Sequence, residues 1–193
     1  MKTQIVFLII ACFLMLSQII TSSIAYQVLH ADSHFGGDQS VCFLYNYKSD
    51  ESSRMNSSCQ GAQNLFLLSI VSAIVFFISS AVMAFMKKSR SSSTRIGVMV
   101  AQSVLLVLAL VAASLFTIGL NTSAANSGMS TAEFISAYTN KMSIKSDLIN
   151  VAMNAAWASV VIWVISALLE GLAFYLDRRE SAALLTDLTE TKA

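Results

Sequence analysis

Four long apolar blocks, at about 5–26, 65–86, 96–120 and 149–176, decide which solvent this chain can fold in. Each block is at least 22 residues long, and Glu170 is the only charged side chain inside any of them. A helix rises about 1.5 Å per residue, so each block can cross a hydrocarbon core of about 30 Å. In lipid every backbone N–H and C=O must be satisfied within the chain, which leaves helices as the spanning form for segments of this length. The expected fold is all-α: an integral membrane four-helix bundle forming a single four-pass domain. Residues 177–193 follow it as a tail.

Composition agrees with that reading. Only 12% of the 193 residues are charged and 55% are hydrophobic, about half the charge fraction of a soluble domain. The net charge of +1 offers no basic surface for nucleic acid. Proline is absent, so the interrupted helices of many transporters find no support.

The basic residues divide unevenly between the two sides that four passes create. Lys2, Lys87, Lys88, Arg90, Arg95, Arg178, Arg179 and Lys192 share one side; Lys48, Arg54, Lys141 and Lys145 share the other. The excess of positive charge marks the first side as cytoplasmic, which puts both termini there. Two sequons, at Asn56 and Asn121, then fall in outside loops as candidate glycosylation sites. Cys42 and Cys59 are the two cysteines outside the blocks, and both belong to the first outside loop. In an oxidising compartment they are expected to pair, with two free thiols as the alternative. Cys12 reads as a small buried hydrophobe. The first block has a second reading as a cleaved signal peptide, which would leave three spans.

The second outside loop carries its own helix signal. Ser130-Thr131-Ala132-Glu133 fits a capping box. Behind it Phe134, Ile135, Tyr138 and Met142 share a face at helical spacing. A short extracellular helix is expected there, lying on the membrane or against the first loop.

Polar residues inside the blocks are the candidate machinery, since they are costly in lipid unless paired. Measured from the cytoplasmic face, Gln18 lies about 20 Å up, Asn154 about 24 Å and Gln102 about 9 Å. Gln18 and Asn154 are therefore expected to bond across the first and fourth helices, and Gln102 to meet Ser79 or Ser80. Glu170 lies near the boundary, within reach of Lys87, Lys88, Arg178 or Arg179. The depths do not converge on one level, which favours helix packing over a conduction path. Small residues Ala152, Ala155, Ala156 and Ser159, with Gly171, give the fourth helix a face for close approach. Trp157 and Trp163 read as packing residues deeper than an interfacial belt.

No metal-ligand set is complete, His30 and His34 being solvated loop residues in this reading, and no cofactor-binding glycine loop or nucleophile–base set appears. An enzyme is not expected. In the tail, Glu180 stands four residues before Leu184-Leu185. This resembles the acidic dileucine signal read by clathrin adaptors, with a continued last helix as the plainer alternative.

Taken together, Cys42-Phe43-Leu44-Tyr45, Cys59 before the second block, Trp157-Ala158-Ser159 with Trp163, and Leu172-Ala173-Phe174 resemble the transmembrane protein 179 family of four-pass proteins. A Leu-rich acidic tail extends the likeness. The chain departs from the family at Ser40-Val41, where members have Gly-Arg, and in the second outside loop, which lacks cysteines. The resemblance implies four passes and no established biochemical activity. The expected role is a non-enzymatic membrane protein of the secretory and endosomal system or cell surface, partnering other membrane proteins. A small channel or transporter built on the intramembrane polar residues is the alternative.

Overall fold

The computed structural model of the chain describes residues 2–32, 57–86, 91–142 and 146–190. They form five helices: α1 (Lys2–Asp32), α2 (Ser57–Phe85), α3 (Ser92–Asn126), α4 (Thr131–Met142) and α5 (Ser146–Glu190). Four of them, α1, α2, α3 and α5, are long and apolar enough to cross a membrane. The protein is a multi-pass membrane protein. Cys42 and Asn56 lie outside the described residues, and Cys59 falls in the first turn of α2.

The long helices pack in a ring, α1 beside α2, α2 beside α3, α3 beside α5 and α5 beside α1. Successive members run antiparallel. Leu8 lines a cavity with Glu170, whereas Gln18 reaches Ser159, so α1 and α5 run in opposite directions. The start of α1, the connection between α2 and α3, and the end of α5 therefore share one end of the bundle.

Each helix buries a stripe spaced by threes and fours. On α5 it reads Ala152, Ala156, Ser159, Trp163, Ser166, Glu170 and Ala173; on α1 it reads Met15, Gln18, Ser22, Ala25 and Leu29, with Leu8 two turns before Met15. That spacing belongs to bundles whose helices cross at about 20°. The stripes mix small and polar residues with a few large ones such as Met15, Leu29 and Trp163, while Phe13, Val75, Val107 and Leu168 face outward. Lipid tails are as apolar as leucine, so close packing and polar contacts have to supply the association. Ala152, Ala155, Ala156 and Ser159 are all buried, and Gly171 faces Met99 of α3. The small-residue face of α5 is thus occupied within the bundle.

The outward apolar surface marks a band. Exposed large apolar residues run from Leu67 to Met86 on α2 and from Ile96 to Ile118 on α3, about 29 and 33 Å of helix. Both match a hydrocarbon core. On α5, Trp157 and Tyr175 are exposed about 27 Å apart, at the spacing of two interfacial aromatic belts. Trp157 donates its indole N–H to Thr117 at 3.1 Å, level with the end of the α3 band. This corrects the expectation that it packs deep in the bundle; Trp163, fully buried, does so.

All four helices outrun the band. Beyond it Ala25, Leu29, Ala62, Leu120, Ala124 and Ile149 continue the core. The end of α3 turns through a left-handed Gly128 at φ +67°, and Met129 N–H bonds back to Ala124 C=O at 3.1 Å. This is the Schellman reversal, which suits glycine because it has no Cβ. The expected capping box follows directly: Ser130 N–H donates to Glu133 Oε2 at 2.9 Å and Glu133 N–H to Ser130 Oγ at 3.3 Å. Phe134 and Ile135 of α4 then bury into the same core cluster. So α4 packs on α3 and α5 at one end of the bundle; most of the first loop, one of its two expected resting places, lies outside the described residues.

At the other end α5 runs on through Glu190. Glu180, Leu184 and Leu185 therefore lie on helical backbone, and the expected tail at 177–193 is helical as far as the chain is described.

Hydrogen bonds from Ser130 hold the Glu133 carboxyl below its ordinary value of 4.5. Because the folded value is lowered, its contribution is complete above 4.5 and fades as pH falls through the lower folded value. Amide exchange across α4 should accelerate selectively over that acidic window, and Glu133→Gln should flatten the dependence. Phe134→Ala should destabilise the protein by about 3 kcal/mol, read by thermal unfolding.

Candidate functional site

Two polar layers cross the bundle, one near each edge of the apolar band. The first is centred on Gln18, which is fully buried. Trp163 Nε1 can only donate, so the group of Gln18 that faces it must be the amide oxygen. In that orientation the oxygen accepts from Trp163 Nε1 at 2.9 Å and from Ser69 Oγ at 2.8 Å, and the amide nitrogen donates to the Ser159 carbonyl at 3.1 Å. The hydroxyls of Ser22 and Ser159 complete the cluster. Side chains from α1, α2 and α5 thus converge on one amide. Phe76 packs edge-on against Trp163 with centroids 6.0 Å apart.

Asn154, the expected partner of Gln18, is exposed. It lies on the outward side of α5, between the exposed Val151 and Trp157. Ser159, five residues further along α5, occupies the level assigned to it.

The second layer is charged. Arg95 is 5% exposed and Glu170 7%. Arg95 Nη1 lies 3.6 Å from Glu170 Oε2, and its Nε lies 2.9 Å from Asp177 Oδ2. One guanidinium of α3 therefore holds two carboxylates that stand two turns apart on α5. Two of the expected partners of Glu170 are placed differently. Arg178 stacks over the Phe174 ring, its Cζ 5.1 Å from the centroid, and Arg179 is exposed. Lys87 and Lys88 lie outside the described residues. Gln102, two turns above Arg95 on α3, faces α1 and α5 with Ser166; it makes no hydrogen bond to Ser79 or Ser80.

Between the layers the axis is filled. Met15, Ala73, Leu105, Ala109 and Trp163 form a packed cluster there. The four intramembrane polar residues singled out in the sequence thus fall in three places, with only Gln102 and Glu170 brought together. Asn121, expected in a loop, belongs to α3, and its side chain accepts a hydrogen bond from Thr131 at 3.0 Å.

The roles of Arg95, Asp177, Ser69 and Ser166 are not apparent in the sequence reading. Arg95 is counted there as a loop charge because α3 begins earlier than its apolar run. A spacing signal does exist: Arg95 and Gln102, and likewise Glu170 and Asp177, are seven apart and share a face. Among known proteins, no family model, no curated protein and no solved structure matches this chain.

Removing one member of a buried charge cluster strands its partners in a poor solvent. Arg95→Met should therefore destabilise the bundle by about 3–5 kcal/mol, whereas Arg178→Met, at an exposed site, should cost much less. Gln18→Leu should cost about 1–2 kcal/mol. Thermal unfolding of the three variants in the same detergent ranks them.

Proposed function

We propose that this chain is a non-enzymatic multi-pass protein of the secretory and endosomal membranes or cell surface, acting by lateral association with other membrane proteins. The observation that carries the reading is the filled axis: polar side chains turn inward onto one another, and packed apolar groups separate the two layers. What such a bundle offers to others is its lipid-facing surface and its two ends. Partner helices would meet outward residues, because the small face of α5 is already used.

In this reading the basic residues around the α2–α3 connection and the end of α5 face the cytoplasm, and α4 lies on the opposite side. Cys42 and Cys59 would be joined there, with Asn56 the better placed of the two sequons since Asn121 is helical. The segment Glu180–Leu185 serves as a clathrin-adaptor signal only if its helix unwinds or is read as a helix. The likeness to the transmembrane protein 179 family supports the four-pass layout and adds no activity.

Affinity purification of the full chain from mild detergent should recover a stoichiometric membrane-protein partner. Ion or solute flux through liposomes containing the purified chain alone, abolished by Gln102→Leu, would replace this reading with the channel alternative. Leu184→Ala combined with Leu185→Ala should shift the steady-state distribution toward the cell surface. An unchanged distribution removes the sorting role.

A further inference from the structure

The charged layer borders a small cavity between α1, α3 and α5, of about 20 Å³. Leu8, Ala11 and Leu14 of α1 form its apolar wall; Gln102, Ser166 and Glu170 supply polar groups. Gln102 and Ser166 are each 4% exposed. Gln102 Oε1 and Ser166 Oγ are both buried, and among the described residues neither has a hydrogen-bond partner. Two such groups facing one hollow, on helices that Arg95 already ties together, are a costly arrangement unless something answers both.

We propose that this cavity is an ordered-water site, in which one internal water joins Gln102 of α3 to Ser166 of α5. Size selects the ligand first. A water needs roughly 10–15 Å³ of such space, so the cavity takes one water and no organic molecule. Hydrogen-bond chemistry selects it next. The amide oxygen only accepts, while the hydroxyl does either. A water donating to Gln102 Oε1 satisfies the first, and it either accepts from or donates to Ser166 Oγ. The Glu170 carboxylate and Arg95 guanidinium in the same wall bring its potential partners to four, within the usual range for internal water. Charge argues against a metal ion: the Arg95 guanidinium already lies 3.6 Å from the Glu170 carboxylate that the ion would need. The water extends the α3–α5 contact further into the membrane than the ion pairs reach, by two turns on α3 and one on α5.

The site predicts coupling between two residues that do not touch. In thermal unfolding of the full chain in nanodiscs, Gln102→Met and Ser166→Ala should each lower Tm by about 2–4 °C. The double variant should lose less than the sum. In a dry cavity the sign reverses, because each substitution deletes an orphaned polar group, and an unchanged or raised Tm for both overturns the proposal. A wild-type Tm higher in sodium chloride than in equimolar choline chloride, with the difference lost in Gln102→Met, overturns it in favour of a bound cation. Independently of stability, NMR cross-relaxation should connect a long-lived water to the Gln102 side-chain amide protons. Ala11→Val, which fills the cavity, should abolish that signal. Its absence in the folded wild-type protein also overturns the proposal.

Discussion

A polar side chain in a lipid-facing helix has two courses: it finds a partner inside the protein or it leaves the membrane. The buried amide of Gln18 takes the first. Around it Ser22, Ser69, Ser159 and Trp163 are drawn to one level, and three helices acquire a common register. Apolar packing alone would not set that register, since a slip of one turn exchanges one leucine or alanine contact for another. A slip here would strand an amide and an indole N–H in a low dielectric, where the penalty is largest. The rest of the bundle is aligned from this point.

The opposite edge of the band uses charge for the same purpose. Arg95 answers Glu170 and Asp177, so α3 and α5 are held by ion pairs where hydrocarbon gives way to headgroups. Desolvating three charges is expensive, and their attraction offsets part of that cost at best. What the arrangement adds is specificity: a guanidinium between carboxylates two turns apart accepts one alignment of α3 on α5. With Met15, Leu105 and Trp163 packed between the layers, the bundle is pinned near both edges and filled in the middle.

Much of this was readable before folding, and the gaps have physical causes. Span number followed from length and hydropathy, and the α4 start followed from Ser130 and Glu133, because capping is a local interaction. The place of Asn154 did not follow. Depth was measured from block edges, but exposed apolar residues on α5 already start at Leu148 and Asn154 stands on that outward face, so helix rotation is what separates it from Gln18. Arg95 was hidden because α3 starts before its apolar run. The serines of the Gln18 cluster were hidden by commonness, since a hydroxyl that bonds across helices looks like one that bonds to its own turn. The destination of α4 was beyond local reasoning too. Phe134 and Ile135 mark an apolar face without saying what covers it.

By itself, then, the amino-acid sequence determined the solvent, the number of long helices, the short capped helix and the presence of polar groups that must find partners in lipid. Those properties are set within one helix length, by side-chain transfer into hydrocarbon and by backbone hydrogen bonds that close locally. Only the tertiary structure decided which partner each polar group found, that the small face of α5 is spent inside the bundle, and that α4 packs on α3 and α5. Those outcomes depend on the relative rotation and height of helices separated by tens of residues. In a chain apolar on both the inner and the outer face, hydropathy carries no information about that rotation; the 3–4 stripe of small and polar residues does, once its partners are in place.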